Sequence, residues 1–140
     1  AVNQVELHPY NPQLALKRYC EEKGIRLTAY SPLGSRDRPD TMKAKDEPSL
    51  LENETVVNTA KSEGITPGQL LIAWAIERGT VVIPKSTNAG RIAENLRGAA
   101  HMRSASARQA LDDIDLQYRY VSPASWFIQG VTYEGDGFWC

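Results

Sequence analysis

Apolar and polar side chains alternate near the start of the chain, with Val2, Val5 and Leu7 set among Asn3, Gln4 and Glu6. This predicts a short strand over 2–7, with one slip in period, ending at His8-Pro9. Asn11 followed by Pro12 supplies a cap and a first helical position. Leu14, Leu16, Tyr19 and Cys20 then recur near helical spacing until Gly24 stops the helix. Residues 25–30 form a second predicted strand. Pro32, Gly34, Pro39 and Pro48 fall among charges, so 31–50 reads as a long irregular connection, of a kind that is functional or disordered when it occurs within a compact domain. Helices are predicted over 51–62 and from Thr66-Pro67 to Gly79, the second with a broad apolar face of Leu70, Leu71, Ala73, Trp74 and Ile76. Residues 80–84 are short and nearly all apolar, as expected of a parallel strand covered on both faces. A helix over 91–96 follows, and Ser106 with Gln109 offers a capping box for another through Asp113. From Ile114 to Cys140 aromatic residues and glycines occur without sustained period, giving an ordered or semi-ordered tail. No internal repeat or low-complexity tract is present.

Strand, helix, strand, helices, strand, helices is the order of a parallel sheet built by right-handed crossovers. Function in such sheets gathers after the carboxyl ends of the strands, here at Gln4, Glu6 and His8, at Tyr30 and Ser31, and at Lys85 and Ser86. The run Val82-Ile83-Pro84-Lys85-Ser86-Thr87-Asn88 sets a cation, two hydroxyls and a helix start side by side. Helix N-termini attract anions because their first N–H groups lack intrahelical partners and the peptide dipoles align there. Arg91, one turn further on, adds a planar fork of donors suited to a phosphate monoester. The competing reading of this segment is a solvated helix start with incidental charges.

The 140 residues, 41% hydrophobic and 24% charged, suit one globular domain with a sizeable core. A net charge of -1 offers no global field for nucleic acid or an anionic membrane, so any basic site is local. No signal peptide and no apolar run near the roughly 20 residues needed to span a bilayer is seen. Cys20 and the terminal Cys140 make a poor disulfide framework, which points to a reducing, cytoplasmic compartment. The chain begins Ala1-Val2-Asn3-Gln4, without Met and directly in a strand pattern, so a preceding segment is expected.

Three motifs carry a family resemblance: Val2-Asn3-Gln4-Val5-Glu6-Leu7-His8-Pro9, then Leu27-Thr28-Ala29-Tyr30-Ser31-Pro32-Leu33-Gly34-Ser35, then Val82-Ile83-Pro84-Lys85-Ser86 with Arg91-Ile92-Ala93-Glu94-Asn95. In this order and spacing they resemble the C-terminal part of the aldo-keto reductases, NADPH-dependent enzymes on a (β/α)8 TIM barrel. The resemblance runs to about Leu111 and implies an α/β fold made of roughly the last three βα units, with a C-terminal helix and tail: a barrel portion over 1–113 and a tail over 114–140. It implies that Gln4 holds the nicotinamide carboxamide and that the ring stacks on Tyr30. It further implies that Ser31, Leu33 and Ser35 fold over the pyrophosphate with Asp37 as their latch, and that this latch takes its partner from the absent half. Lys85, Ser86 and Arg91 would grip the adenosine 2′-phosphate, and Glu94 and Asn95 would read adenine. Two cations around one phosphate favour NADPH over NADH.

The family's catalytic Asp, Tyr, Lys and His lie on earlier strands, and no motif here corresponds to them, so no catalytic residue and no metal ligand is assigned. Tyr30 is an unsuitable proton donor if the nicotinamide occupies its face. Read singly, Gln4 is a buried polar residue, Tyr30 a core aromatic and Glu94 a solvated helix residue. His8 reads as structural and Cys20 as packing, while Trp126 and Trp139 fall in the segment that shapes specificity in the family. Three strands would leave two open edges and one apolar face, so a homodimer, a complementary half-barrel or a flattened sheet is expected. The function implied is the cofactor-binding portion of a carbonyl reductase, inactive alone and acting on a small carbonyl substrate when completed. A non-catalytic nucleotide-binding or interaction module, and a remnant with neither property, are the alternatives.

Overall fold

The structure, a computed structural model, describes residues 1–99 and 104–121. Three parallel strands, β1 (Val2–Glu6), β2 (Arg26–Tyr30) and β3 (Val81–Val82), lie in the order β1-β2-β3. Gln4 pairs with Thr28 and Glu6 with Tyr30, while Thr28 pairs with Val81 on the other side of β2. Between and after the strands come α1 (Leu14–Glu22), α2 (Glu54–Glu63), α3 (Pro67–Glu77), α4 (Ala89–Gly98) and α5 (Ala105–Asp112). The parallel sheet and the helical crossovers agree with the predicted order of elements.

The two faces of the sheet differ. Leu27 and Ala29 are buried in the core and Val5 and Val82 pack against it, together with Leu70, Leu71, Ala73 and Trp74 of α3. Side chains alternate along a strand, so Val2, Gln4 and Val81 line the opposite face. There Val2 is 68%, Val81 53% and the following Ile83 46% exposed. The third strand is therefore not covered on both faces as its composition predicts. Among the described residues the helices cover one face only, and β3 is an edge strand, extended by one bond from the Ile83 N–H to the Ala29 carbonyl at 3.2 Å.

Local chemistry explains the helix ends. Thr66 and Gln69 form the reciprocal capping box of α3, with Pro67 in its first turn, and Asn53 and Asn88 cap α2 and α4. Two predicted starts are displaced. Asn11 does not cap α1: its Nδ2 donates to the Glu6 carbonyl at 3.0 Å, and the helix starts after Gln13, which adopts φ 52° without a side-chain cap. At α5 the cap is Ser104, whose Oγ accepts from the Ala107 N–H, while Gln109 reaches forward to Asp113 instead of back.

Residues 114–121 join the same core. Tyr120 is buried, and Ile114, Tyr118 and Val121 pack against the cluster. The predictions for Trp126, Trp139 and Cys140 concern positions outside the described residues; Cys20 is a free thiol buried in the core.

The Arg78 guanidinium fastens three elements: α3, α5 and the loop after β1. It donates to Asp112 at 2.9 Å and to the Pro12 carbonyl at 3.0 Å, and lies 4.4 Å from the Trp74 ring centroid. The Trp74 indole N–H donates to the same Asp112 oxygen at 2.9 Å. Removing one partner from such a cluster strands the others. Asp112→Ala is expected to cost about 2–3 kcal/mol in urea unfolding, whereas Lys17→Ala, which deletes an exposed i,i+4 pair with Glu21, should cost about 0.5 kcal/mol or less.

Candidate functional site

The carboxyl ends of β2 and β3 open on a common cleft of about 580 Å³. One wall is the turn after β2, with Ser31, Leu33 and Ser35; the other runs from Pro84, Lys85 and Ser86 to Arg91 and Asn95 on α4. Asp37 also lines it. Eight residues given roles in the family resemblance thus share one volume: Ser31, Leu33, Ser35, Asp37, Lys85, Ser86, Arg91 and Asn95.

The turn is tightly wound. Ser31, Gly34 and Ser35 all have positive φ, at 48°, 85° and 45°, and the Gly34 N–H donates to the Ser31 carbonyl at 3.0 Å. Left-handed serines cost energy and persist only where the surroundings hold them. A Cβ on Gly34 would stand 3.1 Å from Leu50 Cβ and 3.2 Å from the Tyr120 ring, so glycine suits the φ there and a side chain would also press on both neighbours.

The cationic wall is organised by short-range hydrogen bonds. Ser86 Oγ accepts from the Asn88 N–H at 3.1 Å and from Arg91 Nε at 3.4 Å, and Asn88 Oδ1 accepts from the Arg91 N–H at 3.0 Å. Two backbone donors of the expected anion cradle are thus engaged internally, and the side chains of Lys85 and Arg91 supply its positive charge. Across the cleft Lys85 pairs with Asp37. Asp37, expected to act as a latch, therefore finds a partner within this chain, which corrects the expectation that its partner would come from the absent half. Lys85 holds the Asp37 carboxyl below the usual carboxylate range through this hydrogen bond.

Three predicted residues lie outside the lining. Gln4 is exposed on the open sheet face, and the half-buried Tyr30 lies one pleat further along that face, directly before Ser31. Burial raises the Tyr30 pKa, and the Glu6 carboxylate raises it further. That is the wrong direction for a proton donor near neutrality. Glu94 turns toward the start of α3, where it accepts from Thr66 Oγ1 at 2.5 Å. Glu94 and Asn95 both lie beside Gly68, their oxygens 4.0 and 3.9 Å from where its Cβ would stand. Arg36 and Leu51 line the cleft without having been predicted. Arg36 stands in a charged run that gave no reason to choose it, and Leu51 reads as an ordinary apolar helix position. No group of three or more metal-ligating side chains occurs among the described residues, nor is any of their helices long and apolar enough to cross a membrane.

A parallel sheet flanked by helices, with Lys85 and Arg91 in a cleft at its strand ends, defines an α/β protein. Residues 1–115 match the Aldo/keto reductase family, and the chain belongs to that family. It is 45% identical over 139 residues to aldo/keto reductase slr0942 of Synechocystis sp., covering 99% of this chain and 42% of the relative. Mouse aldo-keto reductase family 1 member A1 is 41% identical over 88% of this chain and 37% of its own length. The crystal structure of Gox0644 in its apo form superposes with a TM-score of 0.68 at 36% identity, covering 81% of this chain and 38% of that one. The chain thus spans about two fifths of the length of these relatives.

Because Lys85 stabilises the ionised form of Asp37, the pair persists above the depressed pKa and is lost as pH falls through it. Lys85→Met should return the Asp37 carboxyl toward its ordinary range, read by carboxyl ¹³C NMR across a pH titration. Both side chains are more than half exposed, so the change in overall stability should be about 1 kcal/mol or less.

Proposed function

We propose that this chain is the NADPH-binding portion of an aldo-keto reductase, made of the last three βα units of an eightfold barrel. The observation that carries this reading is the single cleft uniting the 31–37 turn with Lys85, Ser86 and Arg91. In this assignment the turn covers the pyrophosphate, and the two cations with Ser86 grip the 2′-phosphate, a charge that NADH lacks. Asn95 contacts the adenine, whereas Glu94, expected to do the same, is turned to Thr66 outside the cleft lining. Gln4 and Tyr30, on one sheet face, hold the carboxamide and stack the ring, fixing which face presents its hydride.

The cofactor would supply hydride to a small carbonyl substrate; this chain's contribution is binding and orientation. Proton delivery to the developing alkoxide needs an acid that these residues do not provide, since the Tyr30 phenol is pushed away from neutrality. The reduction therefore depends on a complementary half-barrel. The open face with Val2, Val81 and Ile83 supports that partnership, or pairing with a second copy, because water-exposed apolar strands at a sheet edge favour association.

Calorimetric titration tests the proposal. NADPH should bind more tightly than NADH, and Lys85→Ala and Arg91→Ala should each weaken NADPH by about tenfold or more, the worth of a charge-assisted hydrogen bond. NADH affinity should change little, and rising salt should erode the preference. Carbonyl-dependent oxidation of NADPH by the chain alone should be undetectable. Absence of binding at millimolar NADPH would refute the cofactor assignment, and turnover matching a full-length relative would refute the division of labour.

A further inference from the structure

Glu6 is a buried carboxylate at the end of β1, 1% exposed, and its partners are unusual. Oε1 accepts from the Tyr120 N–H at 2.6 Å and lies 2.9 Å from His8 Nε2, while Oε2 accepts from the Val121 N–H at 2.8 Å. Two consecutive backbone donors more than a hundred positions downstream thus converge on one carboxylate. Burying a carboxylate is costly unless hydrogen bonds compensate it, so the geometry ties the path of 118–121 to Glu6. The Tyr118 N–H, donating to the Tyr10 carbonyl at 2.9 Å, is a further, backbone-to-backbone bond between the same two stretches of chain.

Tyr120 carries that anchorage to the cleft. Its ring stands 5.1 Å from the His8 ring on one side, and a Cβ placed on Gly34 would touch it at 3.2 Å. Its hydroxyl donates to the Pro48 carbonyl at 2.7 Å, so the ring is wedged between the segment after β1 and both limbs of the loop after β2. Gly34 belongs to the strained turn whose serines line the cleft.

We propose that Glu6 is a positioning residue for the cofactor cleft: by pinning the Tyr120–Val121 backbone it presses the Tyr120 ring against Gly34 and holds the Ser31–Ser35 turn in its binding conformation. This rests on the reading of the cleft as a dinucleotide site. It makes the segment after α5 part of the cofactor site although none of its described residues lines the cleft.

Three variants of the full chain test it, each read by hydrogen exchange and by NADPH titration. Glu6→Gln sets an amide donor against one of the two N–H groups, and Tyr120→Leu keeps the anchor while removing the ring. Both should speed exchange of the Gly34 and Arg38 amides, which close the turn on the Ser31 and Ser35 carbonyls, and both should weaken NADPH about fivefold to tenfold, with a double variant no worse than the poorer single one. Tyr120→Phe keeps the ring and should restore slow exchange and affinity to within about twofold of the parent.

If Glu6→Gln proves too unstable to purify, the contrast between Tyr120→Leu and Tyr120→Phe decides the matter. Variants that lower the melting temperature but leave turn exchange and NADPH affinity unchanged would overturn the proposal. If the parent binds no NADPH, the cofactor reading fails by itself, and exchange at Gly34 and Arg38 still decides whether Glu6 positions the turn.

Discussion

Parallel pairing of three short strands is the constraint from which the rest of the structure follows. It sends every strand's carboxyl end to the same side, so that turns more than fifty positions apart in sequence, after Tyr30 and after Val82, must meet there. The cationic wall and the serine turn share a cleft because the register of β2 with β3 leaves them no other place. The crossovers that permit parallel pairing are helices, and α3 supplies the apolar mass, including the fully buried Trp74, against which the inner sheet face closes.

The same constraint divides the molecule into a dry side and a wet one. Leu27 and Ala29 bury themselves under helices, while Val2, Val81 and Ile83 on the alternate positions remain in contact with water. A β-branched run cannot announce from composition alone whether one or both of its faces will be covered, because that depends on what packs beyond the strand. Stability is consequently concentrated on the helical side, where Arg78, Asp112, Trp74 and the Pro12 carbonyl join α3, α5 and the loop after β1. At the cleft, short-range hydrogen bonds and strained turns are joined by the exposed Lys85–Asp37 pair and by the packing of Tyr120 against Gly34.

Much of this was legible in the sequence where information is local. Thr66-Pro67 spells a helix start within two residues, and the Lys85-Ser86 run with Arg91 six positions on brackets the start of α4 whatever surrounds it. What failed depended on distant partners. Asn11 has the composition of a cap, yet the Glu6 carbonyl captures its amide and the helix begins later at a left-handed Gln13. Ser106 and Ser104 are equally good caps on paper, and the backbone path chose Ser104. Glu6 itself reads as one polar position in an alternating strand, and nothing within that strand reveals that its carboxylate is reserved for Tyr120 and Val121.

The electrostatics of the cleft follow from how exposed its ion pair is. Lys85 and Asp37 are 65% and 58% exposed, so water screens them and their association is shallow. A buried pair would resist an incoming anion by several kcal/mol, since breaking it strands a charge in a poor dielectric. Here either partner can return to water at little cost. Lys85, which shares the cleft lining with Ser86 and Arg91, is thus not committed to Asp37, and under the proposed assignment a phosphate, bringing two negative charges and several acceptors against the single charge of Asp37, would be the stronger partner. An exposed ion pair across the cleft is for that reason compatible with ligand exchange, and the tight packing of Gly34 against Leu50 and Tyr120 supplies the rigidity that the ion pair lacks.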